Sequence, residues 1–281
     1  MLDYAYYNGV FTPYDACCIP LSDRSIFFSD AVYDVILGVG GKPYQLDEHL
    51  ERLIENALRI GLADFPSKVE ILSILTELLS ISRAENFVLY IQLSGKEKRR
   101  SHLRSGGDAN LLITVTSTEI PEVLGFVDAI TLEDKRHRFC DVKTTNLLPA
   151  VLSMSQASSH GADIAIFHRD VFVTECSSAN ISFLKGNTLV THPLDSDILP
   201  GISERNLISA ALGLGFDHLR RPFSIDELFS ADLTLVTSTT KLLKVCKSID
   251  GKALPDPRND VANTLFSILR NKLPDKNRTI C

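Results

Sequence analysis

The chain has 281 residues, about twice the ~150 typical of one domain, so its length points to two domains. Hydrophobic residues at 44% and charged residues at 23% leave ample apolar material for a core. A net charge of −6, from 29 basic and 35 acidic residues, speaks against binding nucleic acid or an anionic membrane through basic patches.

In chain order, the first alternating stretch is residues 25–39. Phe27, Ala31, Tyr33 and Val35 share one parity there, and Gly38-Val39-Gly40-Gly41 supplies a turn. Asp47 reads as the N-cap of an amphipathic helix carrying Leu50, Leu53, Ile54, Ala57 and Leu58 at 3.6 spacing and ending near Gly61. A second helix is predicted over residues 66–82 on Val69, Leu72, Leu75, Leu78 and Leu79. Strands over 87–93 and 111–116 follow, separated by a basic loop. Residues 116–125 then lose all periodicity and read as an interdomain linker.

The second half opens with a strand over 127–131. Asn146 is the expected N-cap of a helix with Pro149 in its first turn and Gly161 at its close. Residues 163–174 and 179–190 read as strands, Ser203 as the start of an amphipathic helix with Leu207, Ile208, Ala211 and Leu212. A short buried strand over 233–237 and a closing helix over 260–273 complete the chain. No internal repeat or low-complexity tract interrupts this order, and the layout is α+β in the first half and mixed α/β in the second.

Several chemistries are disfavoured by spacing. Gly38-Val39-Gly40-Gly41-Lys42 resembles a phosphate loop, but Pro43 stands where that loop needs Ser or Thr, and no helix opens there. The seven histidines show neither HxH nor HExxH spacing, so no metal site is expected, and no GxSxG elbow is present. The six cysteines (Cys17, Cys18, Cys140, Cys176, Cys246 and Cys281) form no CxxC pair and read as reduced thiols used as small hydrophobes. The opening Met1-Leu2-Asp3-Tyr4 lacks the layout of a secretion signal and no apolar run approaches the ~18 residues of a membrane span. A soluble cytoplasmic protein is the expectation.

What remains is one lysine, one glutamate and several hydroxyls at element ends. Lys143 leads into an apolar helix, where partial desolvation can make a neutral amine available as a nucleophile; taken alone, the position reads first as a solvated surface lysine. Glu175 ends the run Val171-Phe172-Val173-Thr174, where a carboxylate could face a cationic ring nitrogen or simply close a turn. In Ile198-Leu199-Pro200-Gly201-Ile202-Ser203, Gly201 permits close backbone approach and the following helix start favours an anion such as phosphate. Thr237-Ser238-Thr239-Thr240 offers four hydroxyls in a row after a strand. Capping at a helix start accounts for each cluster singly. Together with Arg52 they compose a phosphate cup.

In this order the segments resemble the fold-type IV family of pyridoxal-phosphate enzymes, which holds D-amino-acid aminotransferases, branched-chain aminotransferases and aminodeoxychorismate lyases. The resemblance runs from Tyr7-Asn8-Gly9 to Ile249-Asp250-Gly251-Lys252. It passes through Asp23-Arg24, Phe28-Ser29-Asp30-Ala31-Val32-Tyr33, Glu48-His49-Leu50-Glu51-Arg52-Leu53 and Cys140-Asp141-Val142-Lys143 with Asn146-Leu147-Leu148. It continues through Val173-Thr174-Glu175 to Asn180, Ile198-Leu199-Pro200-Gly201-Ile202 and Val236-Thr237-Ser238-Thr239-Thr240. It implies a fold-type IV architecture: a small α+β domain over 1–118, a linker over 119–125 and a larger mixed α/β cofactor-binding domain over 126–281.

By the same resemblance, Lys143 would form the Schiff base with pyridoxal 5'-phosphate and shuttle the α-proton. Glu175 would pair with the pyridine nitrogen and keep the ring an electron sink. Arg52, Ile202, Ser203 and Thr239 would hold the phosphate, with Ser238 in the same shell and Leu199 packed against the ring. Tyr33, Arg100 and His102 would grip the substrate carboxylate, an arginine being able to do so through two hydrogen bonds. The alternative for Arg100 is a solvated basic loop.

Departures from the family pattern cluster on the substrate side. Ser29-Asp30-Ala31 stands for Gly-Asp-Gly, Asp34 for Glu, Gly95-Lys96 for Arg-Gly, Arg99 for Pro, and Ser203 for Thr. The resulting expectation is transamination of a D-amino acid, D-alanine or D-glutamate, with a 2-oxo acid. A homodimer whose small-domain loop completes the partner's active site is expected with it, and no nucleic-acid or membrane partner. The alternatives are a 4-amino-4-deoxychorismate lyase, a branched-chain L-aminotransferase and, outside catalysis, a homologue that keeps the fold for binding or regulation.

Overall fold

The computed structural model of the chain describes residues 3–96, 99–255 and 260–274. These fall into two units. The first comprises residues 3–120, the short stretch Val142–Asn146 and residues 273–274; the second comprises Pro121–Asp141 and Leu147–Lys272. Val142–Asn146, placed by sequence in the larger domain, therefore groups with the first unit.

The first unit is built on strands β1 (Tyr4–Tyr7), β2 (Val10–Pro13), β3 (Ala31–Val39), β4 (Lys42–Pro43), β5 (Phe87–Gly95) and β6 (Ala109–Ser117). They form an antiparallel sheet in the order β2-β1-β6-β5-β3-β4. Helices α1 (Ser25–Phe28), α2 (Leu46–Arg59) and α3 (Lys68–Ser82) complete it. Leu50 and Leu53 of α2, and Ile71, Leu75 and Leu78 of α3, join Val32 and Ile36 of β3 in one core.

Several local expectations change here. Residues 25–28 turn helically instead of extending, and Ser29, at φ +49°, redirects the chain into β3. In the middle of β3 Val32, Asp34 and Ile36 are buried and Tyr33 and Val35 half-buried, the reverse of the parity expected, with a paired carboxylate at a core-facing position; Ala31 and Leu37 are buried as well. The N-cap of α2 is Gln45, and Asp47 lies inside the first turn, where an acid favours the helix dipole. α3 starts at a capping box, Ser67 with Glu70, and buries Ile71 while Val69 faces solvent. The glycine-rich run is the tight β3–β4 turn, with Gly40 and Gly41 at positive φ.

The second unit holds β7 (Gly125–Glu133), β8 (Ile164–Arg169), β9 (Phe172–Cys176), β10 (Asn180–Lys185), β11 (Thr188–Thr191), β12 (Asp217–Arg220), β13 (Leu233–Ser238), β14 (Leu242–Ile249) and β15 (Lys252–Ala253). Their order is β12-β11-β10-β13-β14-β7-β8-β9, with β15 paired to β14. β7 runs parallel to β8 and β14, as does β11 to β12, and the other pairs are antiparallel. Helices α4 (Leu148–Ser159), α5 (Ile202–Gly213), α6 (Ile225–Ser230) and α7 (Asp260–Asn271) accompany the sheet. The β7-to-β8 crossover through α4 is the connection a parallel pair needs. Val127 and Ile166 face one core while Ile130 and Phe167 face another, so these strands are apolar on both sides.

Here too the runs subdivide. Residues 163–174 hold β8 and most of β9, joined by a tight turn, and residues 179–190 hold β10 and most of β11, turning at Gly186, φ +54°. Leu147, not Asn146, caps α4, since the Asn146 amide donates to the Ser29 carbonyl at 3.2 Å. α5 begins at Ile202 with Gly201 as its cap, and Leu212 points outward. The Thr237–Thr240 run ends β13 and opens a hairpin turn instead of a helix. No helix among the described residues is long and apolar enough to cross a membrane.

Candidate active site

Lys143 is positioned by a strand-like pairing. Val142 is buried in the first core, and Val32 bridges to Thr144. The Tyr33 amide donates to the Lys143 carbonyl at 2.9 Å, and the Thr145 amide to the Ala31 carbonyl at 3.1 Å. The Thr145 hydroxyl closes the segment onto the Ser29 carbonyl at 3.0 Å. Lys143 Nζ lies 4.5 Å from the centre of the Tyr33 ring. That ring stacks on Tyr90 at 5.2 Å and 24°, and Tyr90 donates its hydroxyl to Gln92 Oε1 at 2.6 Å. Burial pushes the Tyr90 hydroxyl above its ordinary value, with Tyr33 adding to the effect. Two candidates distant in sequence, Lys143 and Tyr33, thus become neighbours on one framework.

The residue after Tyr33 faces the other way. Asp34 accepts from Arg52 Nε at 2.8 Å and Nη2 at 2.9 Å, and pairs with His49 Nδ1 at 2.8 Å. Burial opposes ionisation, but the His49 hydrogen bond and the Arg52 guanidinium outweigh it and hold the carboxyl below the usual range. Arg52, expected at a phosphate, therefore directs two nitrogens at Asp34.

Arg100 and His102 meet at one ring. The Arg100 guanidinium is 5.0 Å from the centre of Phe28, and the His102 ring 5.2 Å from it. Both side chains are exposed on the loop between β5 and β6.

In the second unit, Glu175 is buried near the end of β9. One carboxylate oxygen pairs with Arg136 Nη1; the other accepts from the Leu199 amide at 3.0 Å and the Asn180 side chain at 3.3 Å. Asn180 also donates to the Leu199 carbonyl at 2.8 Å, and a Cβ on Gly201 would collide with its Oδ1. Asn180 therefore locks the 199–201 turn against Glu175, and only glycine fits at the cap. Beyond it α5 starts with no side chain capping its free amides, which favours an anion there. Asn180 pairs with Thr237 across β10 and β13, so Ser238 and Thr239 come at the same end of the sheet as Glu175 and Gly201. Ser203 sits half-buried in the first turn of α5.

Arg136 was not anticipated. Its Nε and Nη2 reach Asp134 at 2.9 and 2.8 Å, and its guanidinium lies 4.8 Å from the Phe167 ring centre. Burial works against this cation, but the Asp134 hydrogen bonds and the nearby Glu175 charge hold it more firmly protonated. Arg169 continues the network to Asp134 and Asp197. In sequence, Asp134-Lys135-Arg136 is an ordinary charged stretch, and nothing separates a buried pair from a solvated one. Asn180 closes the stretch that begins Val173-Thr174-Glu175, and that position is the signal the sequence carries.

Residues 31–249 match the family model Amino-transferase class IV, a span holding all the candidate residues named above. The chain is 34% identical over 254 residues to a D-alanine aminotransferase of Bacillus licheniformis, covering 88% of this chain and 89% of that one. Its fold is similar to the branched-chain amino acid aminotransferase of Escherichia coli, with a TM-score of 0.87 and 19% identity over 99% of this chain and 98% of the other. It is also similar to a Legionella pneumophila protein described as a 4-amino-4-deoxychorismate lyase, with a TM-score of 0.84 and 23% identity over 92% and 96%.

Proposed function

The chain belongs to the class IV aminotransferase family, whose enzymes depend on pyridoxal phosphate, and from that premise we propose that it moves the amino group of a D-amino acid, of the D-alanine or D-glutamate type, to a 2-oxo acid. The observation that carries the reading is the 34% identity to a D-alanine aminotransferase over nearly the whole chain. The donor set suits the cofactor. A primary amine stands on a fixed framework, a buried carboxylate is braced on both oxygens, and a helix start without a side-chain cap carries Ser203 in its first turn.

When bound, pyridoxal phosphate supplies an electron-accepting ring that stabilises negative charge at the substrate Cα. Lys143 Nζ, seated over the Tyr33 ring by the backbone pairing of Val142–Asn146, would be the amine that holds the cofactor and the group that moves the proton at Cα. Glu175, its orientation fixed by Arg136, Asn180 and the Leu199 amide, would serve the pyridine nitrogen, and Leu199 would pack the ring. Ile202, Ser203, Ser238, Thr239 and Arg52 would be the residues that hold its phosphate. Tyr33, Arg100 and His102 hold the substrate carboxylate, so that the Cα–H bond meets Nζ in a set geometry.

The same reading includes a cytoplasmic homodimer in which the Arg100 loop completes the partner's active site. The exposed face of α4, with Leu148, Val151 and Leu152, offers apolar surface for such pairing.

Purified enzyme given D-alanine and 2-oxoglutarate should release pyruvate, with L-alanine and L-leucine inert. Lys143→Ala should lower the rate by roughly a thousandfold or more. Inactivity on every D-amino acid tested, together with p-aminobenzoate release from aminodeoxychorismate, would replace this reading with the lyase. Turnover of L-leucine but not D-alanine would replace it with the branched-chain activity.

A further inference from the structure

We propose that Arg24 is a positioning residue for the carboxylate grip, holding from beneath the loop that carries Arg100 and His102. The inference rests on the reading of those two residues given above. Arg24 is only 6% exposed, at the start of α1. Its Nη1 donates to the Ser101 carbonyl at 2.6 Å and its Nη2 to the His102 carbonyl at 3.3 Å. Two nitrogens of one rigid fork thus hold two successive peptide oxygens, which sets the direction of the chain at His102. A lysine, with a single flexible ammonium, cannot reproduce that geometry.

The fork is itself held. Nε donates to Asp30 Oδ2 at 2.6 Å, and Arg104, farther along the same loop, pairs with both Asp30 oxygens and donates to the Ile60 carbonyl at 2.9 Å. The Arg24 amide donates to the Gly95 carbonyl, and the Gly95 amide to the Asp30 carbonyl, each at 2.9 Å. A Cβ on Gly95 would lie 2.9 Å from Asp30 Oδ2 and 3.0 Å from Arg24 Cδ, so the base of the loop is packed against the pair. The Phe28 ring lies 4.7 Å from the Arg24 guanidinium and 5.0 Å from that of Arg100, with the His102 ring 5.2 Å away. Arg24 therefore touches the grip twice, through the backbone of the loop and through a shared aromatic seat. Exposed side chains gain most from such support, because ordering them at the moment of binding is costly.

The test is a double-substitution cycle on the holoenzyme with Arg24→Lys and Arg100→Ala. It reads KM and kcat for D-alanine, and the calorimetric Kd of propionate, an unreactive carboxylate. Arg24→Lys should raise KM and the propionate Kd about tenfold or more, change kcat far less, and leave cofactor absorbance in place. In the Arg100→Ala background the loss should be smaller than in the parent, because only His102 is then left to position. Phe28→Leu, which keeps the Arg24–Asp30 pair, should shift KM the same way and by less; it serves if Arg24→Lys does not fold. Equal losses with and without Arg100, or unchanged KM and Kd in both Arg24→Lys and Phe28→Leu while Arg100→Ala raises them, would overturn the proposal alone. Unchanged values in Arg100→Ala would overturn the grip reading and the proposal with it.

Discussion

Asp34 in the first unit and Glu204 in the second are 1% and 2% exposed, yet their carboxyls titrate in opposite directions. Burial disfavours the charge at both. At Asp34 the two oxygens accept from two Arg52 nitrogens and pair with His49, and the Val35 amide donates a further bond at 2.8 Å. At Glu204 only Oε2 has a partner, Arg220 at 3.3 and 3.4 Å, while Oε1 has none among the described residues. Glu175 adds like charge, and the carboxyl is pushed up to about 7 even though it stands in the first turn of α5, where the dipole favours an anion. At equal burial, the number and closeness of donors decides the sign.

The largest effect follows from breaking the well-served carboxylate. Asp34→Asn keeps the shape but leaves Arg52 and His49 facing a neutral amide, at a cost of about 3–5 kcal/mol in urea unfolding. A loss below about 1 kcal/mol would show that the cluster does not need its charge.

The second prediction uses pH. Because the Glu204 carboxyl is raised from 4.5 to about 7, its contribution to stability is present below 4.5 and fades as pH rises through 7. Asp34 runs the other way, its contribution being lost as pH falls below the usual carboxylate range. Between pH 4.5 and pH 8, Glu204→Gln should therefore gain on the parent by on the order of 3 kcal/mol. Parallel stability profiles for the two proteins would contradict the assignment. The smallest effect sharpens the comparison. Arg220→Gln removes the one partner, so the Glu204 midpoint, read by carboxyl-carbon NMR, should climb by up to about one further unit. A fall would mean that other donors serve the carboxyl.

Much of the element order was legible, because α2, β5, β6 and β13 carry clean periodicities, although α2 starts before Asp47. What failed has physical reasons. The parity of β3 was inverted because Asp34 looks like a solvent residue until His49 and Arg52 reach it from α2. Residues 25–28 share the composition of the strand that follows, and only the left-handed Ser29 marks the break. Among the candidate residues, Lys143, Tyr33 and Glu175 were readable as types in a pattern. The seat of Lys143 on the Tyr33 ring was not, since it depends on a pairing between distant segments. Arg136 was hidden for a related cause: charge in a linear string carries no record of burial.

The pairing that holds Lys143 also has a kinetic meaning. Thr145 and Ser29 bond across 116 residues, so the framework of the lysine closes one of the longer loops in the chain. Loop-closure entropy must be met before such a contact rewards it, and non-local contacts of this kind slow folding. During refolding the helices α2 and α3, built from local contacts, should therefore gain protection from hydrogen exchange before the Tyr33 amide does. The Tyr33–Lys143 backbone bond would then be a late arrival, and its protection a reporter of complete folding.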